Sequence, residues 1–138
     1  MSYAGDVSPS DTYAALAANE NAVLVDCRTS VEWQFVGTPD LSEIDKTTKF
    51  IEFQQLPSGT LNPAFIDELD KKVPNRSTPV YFICRSGARS AAAADLATAS
   101  GYEFAYNVAD GFEGPHDDER HRGSQAGWKA SQLPWRQS

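Results

Sequence analysis

One stretch of this chain gathers residue types that can do chemistry together: Cys84, Arg85, Ser86, Gly87, Ala88, Arg89 and Ser90, within "YFICRSGARSAAAADL" at 81–96. An apolar run leads into the cysteine and an alanine-rich run leads away, so the thiol is predicted to sit where a buried strand ends and a helix begins. That position favours a thiolate. A helix N-terminus carries roughly half a positive charge and free N–H groups, and Arg85 and Arg89 add guanidinium groups that stay protonated. Gly87 lets the backbone take φ > 0, which turns successive N–H groups toward one anion. Ser90 adds a hydroxyl at the first helical turn. The chemistry implied is nucleophilic attack by Cys84, with Arg85, Ser86, Gly87, Ala88, Arg89 and Ser90 cradling an anionic substrate. A cysteine at a strand end is more often an inert packing residue. The gathering of cysteine, two arginines, glycine and serine within seven residues argues for reactivity.

The elements that would hold such a loop alternate between strand and helix signals, the pattern of an α/β domain with a parallel sheet. Ser8 before Pro9 caps a helix over 8–18. "AVLVDC" at 22–27 is a nearly continuous apolar run suited to a strand covered on both faces. A short helix opens at Thr29 or Ser30 and stops near Gly37. The run 49–55 reads as one strand carrying Phe50, Ile51 and Phe53. Turn residues at 56–63 precede a helix over 63–72, and "VPNRSTP" leads into a strand over 80–84. A helix over 88–100 stops at Gly101, and 103–114 reads as a last strand and a turn. Trp128, Leu133 and Trp135 predict that the polar, Gly-rich segment 113–138 packs back onto the domain.

Composition bounds what this domain does. With 138 residues, 41% of them hydrophobic and 22% charged, the chain is expected to form a single domain over 1–138. A net charge of −7 argues against a nucleic-acid partner, which needs a clustered basic face. No apolar run approaches the ~18 residues of a membrane span, and the N-terminal residues lack the pattern of a secretory leader, so a cytoplasmic location is expected. Cys27 and Cys84 are too few for a disulfide framework. Cys27 is expected to pack as a small buried residue; the alternative is a thiol able to pair with Cys84. His116 and His121 lie among acidic residues at a spacing that matches no metal site, so no metal or cofactor is called for.

The loop "CRSGARS" resembles the active-site loop of the rhodaneses, the single-domain sulfurtransferases, and the resemblance runs from about residue 7 to 135. "LVDCRTSVEW" is similar to the family's first signature, a strand ending in Asp-x-Arg followed by an acidic-aromatic pair, here Asp26, Arg28, Glu32 and Trp33. Gly37 opens "GTPDLS" where the family begins Gly-His-Ile-Pro-Gly-Ala. "GWKASQLPW" resembles the family's closing segment after an insertion at 113–127.

The resemblance implies a three-layer α/β/α fold around a five-stranded parallel sheet, with the site outside the carboxyl ends of the strands. It implies that Cys84 takes sulfane sulfur from a donor such as thiosulfate, holds it as a persulfide and passes it to cyanide, a thiol or a protein sulfur carrier. It also makes Asp26 and Arg28 a supporting shell for the loop. A related phosphatase chemistry uses Cys-x5-Arg, whereas only four residues separate Cys84 from Arg89 here. A non-catalytic binding or redox-sensing module is the other alternative.

Overall fold

The computed structural model describes residues 3–55, 58–114 and 126–137. Along these the order is β1 (Gly5–Val7), α1 (Pro9–Ala18), β2 (Val23–Asp26), α2 (Ser30–Phe35), β3 (Thr38–Pro39), a 3-10 turn (Ser42–Ile44), β4 (Lys49–Phe50), β5 (Gln54–Gln55), β6 (Thr60–Leu61), α3 (Phe65–Lys72), β7 (Val80–Ile83), α4 (Ala88–Ala99), β8 (Ala105–Val108) and β9 (Trp135–Arg136). Five strands form one parallel sheet in the order β1-β8-β7-β2-β4. This is the α/β class with a parallel sheet that the sequence pattern predicts, with the five strands that the resemblance implies.

Alternation along the central strands separates two cores. Val25, Val80, Phe82, Cys84 and Ala105 pack with Phe65 and Leu69 of α3 and with Ala93, Ala94 and Ala97 of α4. Leu24, Tyr81, Ile83 and Val108 pack on the other face with Leu16 of α1 and with Trp128. Alanine at 93, 94 and 97 lets α4 lie close against β7 and β8, and all three are fully buried.

Three features depart from the sequence reading. The stretch 49–55 is not one strand. After β4 the chain leaves the sheet, its Ile51 and Phe53 N–H groups bonding to the carbonyls of Asp26, the last residue of β2, and of Cys27 just after it, and β5 pairs with β6 in a separate hairpin. β1 carries little apolar pattern of its own and exists because its three residues pair in parallel with Tyr106, Asn107 and Val108. β9 pairs antiparallel with β3, which fastens the C-terminal segment to the turn at Gly37. His116 and His121, and residues 115–125 and 138 of the C-terminal segment, lie outside the described residues. Among the described residues, no helix is long and apolar enough to cross a membrane.

Candidate active site

Cys84 follows β7 directly and Gly87 caps α4, so three residues, Cys84, Arg85 and Ser86, bridge the strand and the cap. Gly87 has φ 113°, a conformation costly for any residue with a Cβ. No side chain of the usual capping kind serves α4. Its first-turn donors point at the sulfur instead: Gly87 N and Ser90 N donate to Cys84 Sγ at 3.2 and 3.3 Å. Ser90 Oγ lies 3.2 Å from the same sulfur. A thiolate there replaces the capping oxygen and meets the positive end of the helix. Cys84 is only 1% exposed, which removes the water that would otherwise solvate its charge.

The chain after β8 anchors the loop from behind. Phe112 N donates to Cys84 O at 2.7 Å, and Glu113 N and Gly114 N donate to Arg85 O at 3.0 and 3.1 Å. Gly111 makes this approach possible: at its φ of 61°, an added Cβ would fall 2.5 Å from Cys84 O. Asp26 and Arg28 form a fully buried ion pair, Nη2 to Oδ2 at 2.7 Å. Arg28 Nη2 also donates to Gly37 O at 2.7 Å, and the guanidinium lies 4.4 Å from the centroid of the Phe112 ring. This pair therefore ties the end of β2, the Gly37 turn and Phe112 together.

The two arginines of the loop have separate surroundings. Arg89 is engaged in a bidentate pair with Glu32 of α2, at 2.7 and 2.9 Å. Burial pushes the Glu32 carboxyl up, but the bond to Arg89 and its charge outweigh that and hold it below the usual carboxylate range; Glu32 in turn pushes the Arg89 guanidinium further up. Glu32 thus offsets much of the positive field that the sequence assigns to Arg89. The same carboxylate closes a capping box with Thr29, which seats α2. Arg85 is exposed, and with Arg89, Glu32, Thr29, Val31, Gln54 and Gly59 it lines a cavity of about 410 Å³. Ser86 and Ala88 are also exposed.

Cys27 faces the same core as Cys84. It is fully buried and its Sγ donates to Ile83 O at 3.3 Å. Burial, then the neighbouring Cys84 and Asp26, push its thiol well up, so it stands as a neutral packing group.

Sequence reasoning missed several residues around the loop. Asn107 of β8 accepts from Ser90 Oγ at 2.5 Å and donates to Asp6 of β1 at 2.9 Å. Nothing local marks either residue, because they reach the site through sheet pairing. Glu32 was visible as the third residue after Thr29, but its partner was not. Among the described residues, no cluster of histidine, cysteine and carboxylate side chains could hold a metal ion.

A family model described as the STR4 middle domain matches residues 4–138. Uncharacterized protein RC0915 of Rickettsia conorii is 39% identical over 131 residues, which cover 94% of this chain and 95% of that protein. Rhodanese-like domain-containing protein 4, chloroplastic, of Arabidopsis thaliana is 28% identical over 132 residues, 95% of this chain and 25% of the plant protein. The crystal structure of Rv0390 from M. tuberculosis superposes with a TM-score of 0.91 at 49% identity, covering 99% of this chain and 100% of that one. The solution structure of the polysulfide-sulfur transferase homodimer from Wolinella succinogenes shares the fold, with a TM-score of 0.63 at 21% identity over 96% of this chain and 78% of that one.

Proposed function

Because the chain belongs to the STR4 middle domain family and has the rhodanese-like fold, we propose that it is a sulfurtransferase working through a Cys84 persulfide. The observation that carries this reading is the convergence of Gly87 N, Ser90 N and Ser90 Oγ on one sheltered sulfur. In the first half-reaction the Cys84 thiolate attacks the outer sulfur of a donor such as thiosulfate. The donor's S–S bond breaks, sulfite leaves with the electron pair, and Cys84 carries the sulfur as a persulfide. In the second, cyanide or a thiolate, free or on a carrier protein, attacks the terminal sulfur and Cys84 departs as thiolate. Sγ carries negative charge at the start of one step and at the end of the other. The two N–H groups are already oriented for that charge and the Ser90 hydroxyl lies within reach of it, so stabilising it costs little reorganisation.

The loop also bears on the phosphatase alternative. The ring closes at Ser90 around a single sulfur, and Arg89, which a phosphoryl cradle would need free, is committed to Glu32. Hydrolysis of an aryl phosphate is expected to be absent, and turnover abolished by Cys84→Ser would reverse the assignment.

Intact mass after incubation with thiosulfate tests the main reading. The expected result is a gain of one sulfur atom that is lost on adding cyanide and absent in Cys84→Ser. A folded wild-type protein that gains no sulfur from thiosulfate or from a persulfide thiol would overturn it.

A further inference from the structure

Ser90 has one hydroxyl hydrogen and three acceptors in reach: Asn107 Oδ1 at 2.5 Å, Cys84 Sγ at 3.2 Å and Gly87 O at 3.2 Å. The shortest of these takes the hydrogen at rest. Asn107 cannot turn its amide to escape this role. Its Nδ2 donates to Asp6 Oδ1 at 2.9 Å, and Tyr3 donates to the same oxygen at 2.7 Å. These two bonds hold the Asp6 carboxyl below the usual carboxylate range, so at neutral pH it only accepts. The NH2 of Asn107 must face Asp6, which leaves Oδ1 facing Ser90. Asn107 is buried, so water is a poor substitute for either partner.

The geometry points to a two-position hydroxyl at Ser90, with Asn107, oriented by Asp6, as the positioning residue that holds its hydrogen while Cys84 Sγ is neutral and yields it when Sγ becomes an anion. This rests on the reading of Cys84 as the nucleophile. As a thiol, or bonded to a second sulfur, Sγ needs no third donor. As the attacking or departing thiolate it gains one when the hydroxyl rotates about its C–O bond; the proton stays on the serine oxygen and no covalent bond changes. Asn107 therefore competes with the sulfur for the Ser90 hydrogen. Removing its amide should release that hydrogen to the sulfur and make the thiolate easier to form.

Alkylation of Cys84 by iodoacetamide at pH 7, mapped by peptide mass and compared across folded variants, tests this directly. Asn107→Leu is expected to raise the rate by a factor of about three, in keeping with one redirected hydrogen bond. In a Ser90→Ala background the same change should move the rate by less than about 1.5-fold, because no hydroxyl remains to redirect. Asp6→Ala should act in the direction of Asn107→Leu. Asp6→Asn, which keeps an acceptor for the Asn107 amide, should stay near wild type.

A rate that Asn107→Leu changes equally with and without the Ser90 hydroxyl, leaves unchanged, or lowers overturns the inference. Should Asn107→Leu fail to fold, the Asp6→Ala and Asp6→Asn pair, at an exposed position, carries the same comparison with and without Ser90. A wild-type Cys84 that neither alkylates nor takes sulfur from thiosulfate or a persulfide thiol overturns both this inference and the proposed function. One that takes sulfur but shows no Ser90-dependent effect of Asn107 or Asp6 overturns the inference alone.

Discussion

Arg85 and Arg89 stand four residues apart and do different work, because of the two only Arg89 pairs with a carboxylate among the described residues. Arg85 is the exposed cation at the cavity. An anionic donor approaching a protein of net charge −7 depends on such a local positive field. Arg85→Ala is therefore expected to raise KM for thiosulfate several-fold at low salt with little change in kcat, and the difference should narrow as salt is added. Equal KM for both proteins at low ionic strength would remove Arg85 from donor recognition. Cys27→Ser keeps a donor for Ile83 O at the same buried position. It should lower stability by about 1 kcal/mol or less and leave sulfur loading intact. Lost turnover in a folded Cys27→Ser protein would instead make Cys27 a resolving thiol.

At the level of elements, the loop is held by what lies behind it and beside it. Gly111 packs against the carbonyls of Cys84 and Arg85, where an added Cβ would meet backbone that cannot yield. Gly111→Ala is expected to cost roughly 3 kcal/mol and to slow alkylation of Cys84. Gly59, at φ 74° with open space around it, is the control: alanine there should cost about 1 kcal/mol through backbone strain alone. Similar losses in urea unfolding would mean that the close approach at Gly111 does not matter. Between α2 and α4, the Glu32 carboxyl titrates below its ordinary value in the folded protein. The unfolded chain thus takes up a proton first as pH falls. The stability this pair adds is present above about pH 4.3 and disappears as pH drops through the depressed folded value. The stability difference between wild type and Glu32→Gln should accordingly be largest at neutral pH and close toward pH 3. A difference that persists unchanged at pH 3 would assign it to packing rather than to charge.

For the whole molecule, the C-terminal segment completes one of the two cores. Trp128 is fully buried against α1, its ring meeting Tyr13 edge-on and its Nε1 donating to Pro134 O at 2.7 Å. Leu133 packs against the same core, and β9 closes on β3 beside the Gly37 turn where Arg28 ends. Trp128→Ala is expected to cost about 3–5 kcal/mol in urea unfolding and to weaken the backing of the Cys84 loop, since Lys129 N bonds to Phe112 O. A loss under 1 kcal/mol would show that the segment adds little to the folded domain.

Cys84, Gly87 and Ser90 were legible in the sequence because strand, turn and helix follow one another within a few residues, and local backbone geometry alone aims the N–H groups at the sulfur. The parallel sheet was legible for a similar reason: short apolar runs such as "VYFI", bounded by turn residues, suit strands covered on both faces. β1 and β9 were not, since strands of three and two residues are specified by the partner they pair with and carry no period of their own. The sequence also could not show that Arg89 spends its charge on Glu32, 57 positions away. Nor could it show that Asp6 and Asn107, 101 positions apart, meet behind Ser90. Those contacts arise from the lateral order β1-β8-β7-β2, and a linear pattern of apolar and polar residues does not encode which strand lies beside which.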